Sequence, residues 1–595
     1  MMSNRSTVVE LKQASPVLEG FVLQTAKAGQ RRKAREAVTR VLGREWRVAA
    51  FGDAGTDYEA TPQGGRQSRL AAARAWEKTY RLRSQPGVIY AEPTFSVPVS
   101  APPQFHPEAG EGAHGQRRRG AAPRAAADSI FGTKDLPESK DPSWSIKEVK
   151  VPEAWKRFPP GKEPGAQVVV GHPDTGYSAH PENVARLLTK KGQDFVKGDA
   201  DARDDLDSGL LLFPGHGTGT SSIIVSPQDA QGDFGTIDGK KIAVWGVAPG
   251  AQLIPFRVSR SVVLDVPWAG GGVSNLAQAI ELAADRGAHV ISISMGTGFP
   301  STRLLKAVRY AQKLGVIVLA AAGNFVGYVV WPAAYEEVVA VAASNARRKT
   351  WSGSSRGGAV DVTAPGESVW CAGVERGDKF TVGRGSGTSY AVATVAGVAA
   401  LWLSHHGRDK LVSRYGAEKI PVIFNQLLRD TCDPVPGWGS GFGRGLVNAA
   451  RLLSAELPGP ADPIPHAGAL LREHPSLDAG GLSTFAHIFE DEASPARPGH
   501  IAAADRLKPR LAELLGVGEE EVTARLNEVG QELAFYFASD PALRRQFAAT
   551  VARKQARRSG AAERAAAQAD GIGRVRAALL GQGTSTALKK RLAGR

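Results

Sequence analysis

The chain has 595 residues, which is too long for one ordinary domain, and its 42% hydrophobic and 22% charged residues are typical of a globular protein. No apolar run approaches the roughly 18 residues needed to cross a bilayer, so no membrane span is predicted. The formal net charge is +15, but residues 541–595 hold thirteen Lys or Arg against two acidic residues and account for +11 of it. This distribution argues against a nucleic-acid role for the chain as a whole and indicates a basic C-terminal segment.

The N-terminal segment and the cysteines bear on the cellular compartment. The segment MMSNRSTVVELKQAS lacks the apolar core of a secretory signal, so we expect a cytoplasmic protein, with export from a different start codon as the alternative. Cys371 and Cys432 are the only cysteines, which excludes a disulfide framework. Two unpaired thiols fit a reducing compartment better than a single bridge between them.

The first part of the chain, residues 18–97, has the pattern of a small α+β module, called here the N-terminal unit. Strand-like runs VLEGFVLQTA, WRVAAF and GVIYAEPTFSV alternate with the helical stretches AGQRRKAREAVTRVLG and SRLAAARAWEKTYRLRS. The predicted order is therefore β-α-β-α-β. Residues 98–140 are rich in Pro, Gly and Ala and include Arg117–Arg119, which predicts an exposed linker.

Residues 141–456, the central domain, alternate between strand and helix patterns. Five short apolar runs are predicted as buried strands: AQVVVGHP, AQLIPFRV, GAHVISISM, GVIVLAAAG and EVVAVAAS. Helical stretches at 274–287 and 301–315 lie between them. Apolar strands separated by helices indicate an α/β fold with a doubly wound, mostly parallel sheet covered on both faces.

Residues 465–595, the C-terminal region, follow a Pro-rich break and lack a strand signal. One helical stripe is formed by Val522, Leu526, Val529, Leu533 and Phe537, which predicts a small helical domain. A loosely ordered basic helix or tail is predicted after it. A solvated tail is the simplest interpretation, with binding to acidic protein, nucleic acid or anionic lipid as the alternative.

Three short motifs in the central domain carry the chemistry. Asp174 ends an apolar strand in VVVGHPDTGY, His216 opens a helical stretch in PGHGTGTSSI, and Ser389 begins a small-residue helix in GSGTSYAVATVAGVAAL. Serine needs a base to accept its proton, and the imidazole base needs a carboxylate to orient it. Because the carboxyl ends of the strands form one crevice in an open α/β sheet, these three side chains are expected to converge there.

The motifs resemble those of the subtilisin-like serine peptidases, in the same order: Asp174-Thr175-Gly176, His216-Gly217-Thr218 and Gly387-Thr388-Ser389-Tyr390-Ala391. The resemblance spans about residues 145–455 and implies a subtilisin-like fold with Asp174, His216 and Ser389 as the triad. The segment LAAAGN resembles the family stretch whose asparagine donates to the oxyanion, which implies that role for Asn324.

The resemblance also implies a substrate site. Family members bind an extended peptide as an added strand, here through Trp268–Gly272 and Ser294-Met295-Gly296. Gly323 and the stretch Phe325–Val330 resemble the wall and floor of the primary specificity pocket. Since no carboxylate lies in that stretch, we expect apolar or aromatic P1 residues. His172 and His180 lie near Asp174 and are interpreted as local structural residues.

Two further features follow from the resemblance. The acidic stretch Asp199–Asp207 is like a loop that binds calcium in some members, so a structural Ca²⁺ and a solvated loop are the alternatives, with no cofactor required for the reaction. The end of the N-terminal unit resembles the end of an inhibitory βαββαβ prodomain. We therefore expect a serine endopeptidase made as an autoinhibited zymogen, acting on protein or peptide substrates through an acyl-enzyme; a catalytically silent protease-like scaffold is the alternative.

Overall fold

The structure is a computed structural model that describes most of the chain. The described residues are 16–63, 70–96, 104–107, 137–207, 213–227, 232–237, 239–262, 272–377, 379–459, 481–490, 500–552 and 561–593. Among them, no helix is both long and apolar enough to cross a membrane.

The N-terminal unit is a four-stranded antiparallel sheet in the order β2-β3-β1-β4 with two helices. Its elements are β1 (Val17–Thr25), α1 (Arg31–Val41), β2 (Trp46–Phe51), β3 (Asp57–Pro62), α2 (Ala72–Arg83) and β4 (Val88–Ser96). The predicted β-α-β-α-β order is wrong in one respect, because it omits β3. That strand has the polar sequence DYEATP, and its Asp57 and Glu59 are nevertheless buried. Lys306 and Ser274 of the central domain contact these two carboxylates, so burial of the polar strand depends on docking.

The central domain is built on a seven-stranded sheet in the order β14-β13-β12-β11-β6-β10-β7, with every neighbouring pair parallel. The sheet strands are β6 (Val169–Asp174), β7 (Gln193–Asp194), β10 (Gln252–Arg257), β11 (Val290–Ile293), β12 (Ile317–Ala321), β13 (Val339–Ser344) and β14 (Val362–Pro365). The five predicted strands are all present. The α/β fold with a doubly wound parallel sheet is thus confirmed.

Helices cover both faces of this sheet. They are α3 (Trp144–Glu148), α4 (Val151–Trp155), α5 (His216–Val225), α6 (Val273–Asp285), α7 (Thr302–Lys313), α8 (Thr388–His406), α9 (Arg408–Tyr415), α10 (Ile420–Asp430) and α11 (Ala449–Ser454). Successive strand residues face opposite layers: Ile291 packs in the core with α6 and α7, whereas Val290 packs with α5 and α8. Two apolar layers explain why the strands read as continuous apolar runs.

Short antiparallel strands complete the domain. They are β5 (Gln104–Pro107), β8 (Thr236–Ile237), β9 (Lys240–Lys241), β15 (Val369–Glu375) and β16 (Lys379–Ser386). β15 and β16 form a hairpin whose second strand leads directly into α8. The backbone of β5, within the predicted linker, adds to β16, with Gln104 opposite Ser386.

The described part of the C-terminal region is helical. Its helices are α12 (Leu482–Ile488), α13 (His500–Leu515), α14 (Val522–Ser539), α15 (Pro541–Ala552), α16 (Ala561–Gly581) and α17 (Thr586–Leu592). The stripe predicted on α14 is confirmed, since all five of its apolar side chains are buried. The prediction of a loosely ordered basic tail is wrong for the described residues. Apolar side chains spaced among the Lys and Arg residues, such as Phe547, Val575 and Leu588, are buried and fix the helices in a packed domain.

Candidate active site

Asp174 and His216 meet at the carboxyl edge of the central sheet. Asp174 is the last residue of β6, and His216 is the first residue of α5. The Nδ1 of His216 lies 2.7 Å from Oδ1 of Asp174, and the same oxygen accepts the Thr175 N–H at 2.7 Å. Burial raises the pKa of Asp174, but the attraction and hydrogen bond of His216 outweigh burial and hold the pKa below its ordinary value. Asp174 is therefore an ionised acceptor for the imidazole.

Gly217 permits this close approach. A Cβ at this position would lie 2.1 Å from the carbonyl oxygen of Gly176 and 3.2 Å from the Cβ of Asp174. Any larger residue would push the start of α5, and with it His216, away from the strand end. The glycine of the His-Gly-Thr motif is thus required by the backbone contact.

Ser389 lies in the first turn of α8, immediately after β16. Its Oγ donates to the carbonyl oxygen of Ser294 at 3.2 Å. The ring of Tyr390, the next residue, lies 6.2 Å from the ring of His216, and Nε2 of His216 has no hydrogen-bond partner among the described residues. The three predicted residues therefore lie at one edge of the sheet, with the hydroxyl of Ser389 turned toward Ser294.

Asn324 follows β12 and contacts the residue before Ser389. Its Oδ1 accepts hydrogen bonds from the backbone N–H of Thr388 at 2.9 Å and from the Thr388 hydroxyl at 2.8 Å. The N–H of Gly323 donates to that hydroxyl at 3.2 Å. These bonds turn the amide oxygen toward the start of α8, so the amide nitrogen is the end left to donate to a bound group. The sequence singles out Thr388 only as part of the serine motif.

The predicted substrate-binding residues form one cluster. Ser294, Met295 and Gly296 follow β11, and Gly323 follows β12. Val330 lies between the two segments: a Cβ on Gly296 would be 2.7 Å from its Cγ2, and a Cβ on Gly323 would be 3.0 Å from its Cγ1. Two glycines and one buried valine thus share a confined apolar space.

The other predicted substrate segment is Trp268–Gly272. Its residues 268–271 lie outside the described residues, and Gly272 immediately precedes α6.

A buried arginine binds the acidic loop beside the site. Arg257, fully buried at the end of β10, donates through Nη1 to Asp194 at 3.1 Å and to Asp205 at 2.8 Å. Lys197 also pairs with Asp205. Asp194 and Asp205 are therefore neutralised by side chains of the chain itself.

Asp204, in the same loop, bonds to the neighbours of Asp174 and His216. Its Oδ2 accepts hydrogen bonds from the Thr175 hydroxyl at 3.1 Å and from the Gly215 N–H at 2.8 Å, which connects the loop to both halves of the Asp174–His216 pair. No group of three or more metal-ligating side chains occurs in the described part of the chain. Asp204 and Asp205 are thus bound to partners within the chain and are not free to ligate a calcium ion.

The two extra histidines differ in their surroundings. His180 lies in a packing contact, stacked on Phe234 at 5.4 Å, with Nε2 at 2.9 Å from the carbonyl of Thr381. His172 lies 3.7 Å from Oδ2 of Asp174, and its Nε2 is 3.0 Å from the Thr220 hydroxyl. The sequence gives two signals for this contact: His172 precedes Asp174 by two strand residues, and Thr220 follows His216 by one helical turn.

Comparison with known proteins identifies the family. Residues 165–445 match the model of the subtilase family. M-protease of Shouchella clausii is 34% identical over 307 residues, which cover 51% of this chain and 68% of that protein. Subtilisin Savinase of Lederbergia lenta is 32% identical over 307 residues, which cover 96% of that protein. This chain belongs to the subtilase family.

The fold of this subtilase also resembles a solved structure. Fervidolysin from Fervidobacterium pennivorans, a keratinolytic enzyme related to subtilisin, matches with a TM-score of 0.53 at 21% identity, covering 75% of this chain and 64% of that one. Subtilases are serine endopeptidases that hydrolyse protein substrates and need no organic cofactor, and the similar proteins include Thermitase of Thermoactinomyces vulgaris. This subtilase is accordingly a serine-type hydrolase.

Proposed function

We propose that this subtilase cleaves peptide bonds through an acyl-enzyme formed on Ser389, with His216 as the base and Asp174 as its orienting carboxylate. The main support is the buried pair of His216 and Asp174, in which Nδ1 and Oδ1 lie 2.7 Å apart, beside the start of the helix that holds Ser389. A carboxylate at Nδ1 leaves Nε2 as the atom that accepts a proton.

The reaction begins when the Ser389 hydroxyl turns from Ser294 toward His216. Oγ attacks the scissile carbonyl, its proton moves to Nε2 of His216, and the imidazolium returns that proton to the leaving amine. Water then reacts by the same route and releases the acid. The amide nitrogen of Asn324 and the backbone N–H of Ser389 donate to the oxyanion; one such donor is worth about 3–4 kcal/mol of barrier.

The specificity pocket favours small apolar P1 side chains. The methyl groups of Val330 lie against both Gly296 and Gly323, so the space between the two glycine walls is already partly filled. This narrows the sequence-based expectation, which included aromatic P1 residues.

The N-terminal unit serves as an inhibitor that covers the central domain until the enzyme matures. Glu19 accepts the N–H groups of Val273 and Ser274 at 2.7 and 2.8 Å, and Glu92 accepts the Thr302 N–H at 2.7 Å. The unit thus caps the N-termini of α6 and α7 with carboxyl oxygens that accept their free N–H groups. The backbone of β5 adds to β16, the strand that leads to Ser389, so residues 104–107 of the connecting segment lie against the strand next to the site.

The triad is tested by labelling with a serine-directed fluorophosphonate after the N-terminal unit has been removed. We expect rapid labelling of the wild-type enzyme and none of Ser389→Ala. His216→Ala should fold and bind the probe, but it should be labelled at least about a hundredfold more slowly, because the serine has lost its base. An unlabelled wild-type enzyme would instead favour the protease-like scaffold.

The zymogen proposal has its own test. Purified wild-type chain should be cut within residues 97–136 during incubation, and purified Ser389→Ala should stay intact. Cleavage of Ser389→Ala at the same position and rate would exclude autoprocessing.

A further inference from the structure

The second carboxylate oxygen of Asp174 has a hydrogen-bond chain of its own. Oδ2 lies 3.2 Å from the hydroxyl of Thr220, and that hydroxyl lies 3.0 Å from Nε2 of His172. Asp174 and Thr220 are fully buried, and His172 is 1% exposed. Burying polar side chains this deeply costs free energy of folding unless they form hydrogen bonds with one another. These hydrogen bonds are therefore part of the structure of the site.

The periods of the two elements bring these groups together. His172 and Asp174 are two residues apart in β6, so their side chains leave the same face of the strand. Thr220 and His216 are four residues apart in α5, so they share one face of the helix. The face that presents His216 to Oδ1 therefore presents Thr220 to Oδ2.

The chemistry sets the direction of the bonds. Ionised Asp174 can only accept, so the Thr220 hydroxyl donates to it and the Thr220 oxygen accepts the Nε2–H of His172. The backbone carbonyls of His216 and Gly217, 3.1 and 3.5 Å from the same hydroxyl, are competing acceptors, and the charged carboxylate is the stronger one. Because the Nε2–H of His172 donates to the Thr220 oxygen, the hydroxyl proton of Thr220 stays directed at Asp174, and the bond between Thr220 and Asp174 is strengthened.

His172 contributes a hydrogen bond and no charge. Burial lowers its pKa to about 4, despite the opposing attraction of Asp174. At neutral pH the imidazole is uncharged, so the negative charge of Asp174 remains available to His216.

We propose that Thr220 and His172 are positioning residues of the active site, which hold Oδ2 of Asp174 so that Oδ1 faces Nδ1 of His216. The inference rests on the proposed triad. Loss of the orienting carboxylate costs about 10⁴-fold in kcat in triad enzymes, and we assign about tenfold to a bond that only aligns that carboxylate.

The first test removes the Thr220 hydroxyl; each variant is produced as the full chain and assayed after the N-terminal unit has been removed. Thr220→Val keeps the shape of the side chain, Thr220→Ser keeps the hydroxyl, and Ser222→Ala is the matched control. The hydroxyl of Ser222 is buried in the same helix but bonds Gly219 and Ala372. Kinetics are measured with a peptide p-nitroanilide that has alanine at P1, and active enzyme is counted by fluorophosphonate titration.

We expect Thr220→Val to lower kcat about tenfold with KM within about twofold, because the loss falls on the transition state. Thr220→Ser and Ser222→Ala should retain kcat within about twofold, even where the melting temperature falls.

The second test establishes the route through Thr220. His172→Leu removes the donor and should lower kcat about fivefold, whereas His172→Gln carries an N–H at similar reach and should restore it. In the Thr220→Val background, His172→Leu should cause no further loss, because the route through the hydroxyl is already broken and the direct separation of Nε2 from Oδ2, 3.7 Å, is beyond hydrogen-bond distance.

Any of three results would overturn the inference. They are an unchanged kcat in both Thr220→Val and His172→Leu, losses that multiply in the double variant, and a change confined to KM. If Thr220→Val fails to fold, the comparison of His172→Leu with His172→Gln decides. Failure of the triad is distinguishable, because the wild-type enzyme would then not be labelled at Ser389.

Discussion

At the scale of single residues, Val330 is the residue on which the proposed P1 specificity depends. It lies between Gly296 and Gly323 with both methyl groups in contact distance of the positions where their Cβ atoms would be. A P1 side chain that enters between these glycines must share the space with the valine. Packed interiors resist added volume, at a cost of about 1–3 kcal/mol, which converts to about 5- to 150-fold in relative rate.

Val330→Gly should therefore open the pocket. We expect kcat/KM for a peptide anilide with phenylalanine at P1 to rise at least about tenfold relative to one with alanine at P1. Val308→Ala is a suitable control, since Val308 is a buried valine on α7 and is not part of the site. An unchanged ratio in Val330→Gly would show that another group limits the pocket.

At the scale of elements, the acidic loop is fixed by an internal cation. Arg257 ends β10 and binds Asp194, which ends β7, together with Asp205 in the loop before His216. Two strand ends and the loop are thereby connected through one guanidinium. Removing that guanidinium leaves the buried Asp194 uncompensated and Asp205 paired only with Lys197, and breaking a buried pair typically costs about 3–5 kcal/mol.

Arg257→Met should lower the melting temperature of the Ser389→Ala chain by several degrees, measured by calorimetry in the presence of EDTA. Calcium at millimolar concentration should not restore the melting temperature, because Asp194 and Asp205 are placed to bind a guanidinium. The exposed Arg451→Met, which loses a surface pair with Asp433, should change the melting temperature little. Full recovery of Arg257→Met with calcium would contradict the assignment of the loop to arginine.

At the scale of the whole molecule, three units meet at one phenylalanine. Phe535 of α14 lies 4.4 Å from Phe95 and 6.1 Å from Trp76 of the N-terminal unit, and 5.8 Å from Phe299 of the central domain, between ring centroids. Polar contacts surround it, including the bond from the hydroxyl of Tyr80 to Glu532 at 3.1 Å. The N-terminal unit is therefore held by contacts with the C-terminal region in addition to its contacts with the central domain.

Cutting the linker should consequently leave the N-terminal unit in place. A specific protease site placed in the linker of the Ser389→Ala chain allows the cut, and size-exclusion chromatography measures what remains bound. We expect retention in the parent chain and at least about tenfold faster dissociation in Phe535→Ala, because the lost ring contacts lie at the interface.

Phe547→Ala provides the control for this experiment. Phe547 packs on Phe537 and Phe489 within the C-terminal region, so its loss should reduce stability without comparable release. Equal release by both variants would mean that the contact at Phe535 has no special role.

Retention should also depend on pH. Burial raises the pKa of Glu92 from 4.5 in the docked state, although its hydrogen bonds oppose this. A carboxyl with a raised pKa binds its proton more tightly in the complex. Docking is then strongest below the ordinary value and weakens as the pH rises through the raised one.

We expect the clipped N-terminal unit to dissociate faster at pH 8 than at pH 5, and Glu92→Gln to flatten this dependence. Slower dissociation at the higher pH would contradict the direction of the shift.

The sequence alone determined the local features that repeat along the chain. Five apolar runs predicted the strands, because burial on both faces leaves no polar alternation to misread. The apolar stripe on α14 was predicted because a helix buried on one side repeats its apolar residues with the helical period. Asp174 was marked by its place at the end of an apolar strand, and His216 and Ser389 by small neighbours that close backbone approach requires. Asn324 was implied only by the resemblance of LAAAGN to a family stretch. Family membership followed from the order of these motifs.

Only the tertiary structure decided the features that depend on distant partners. β3 was missed because its buried carboxylates face the central domain, and the basic helices were misjudged because their apolar residues pack against other helices. The pairing of Arg257 with the acidic loop, the bond of Thr220 to Asp174 and the meeting of three units at Phe535 join residues far apart in sequence. Such contacts form between side chains that no local pattern relates, so folding alone brings them together.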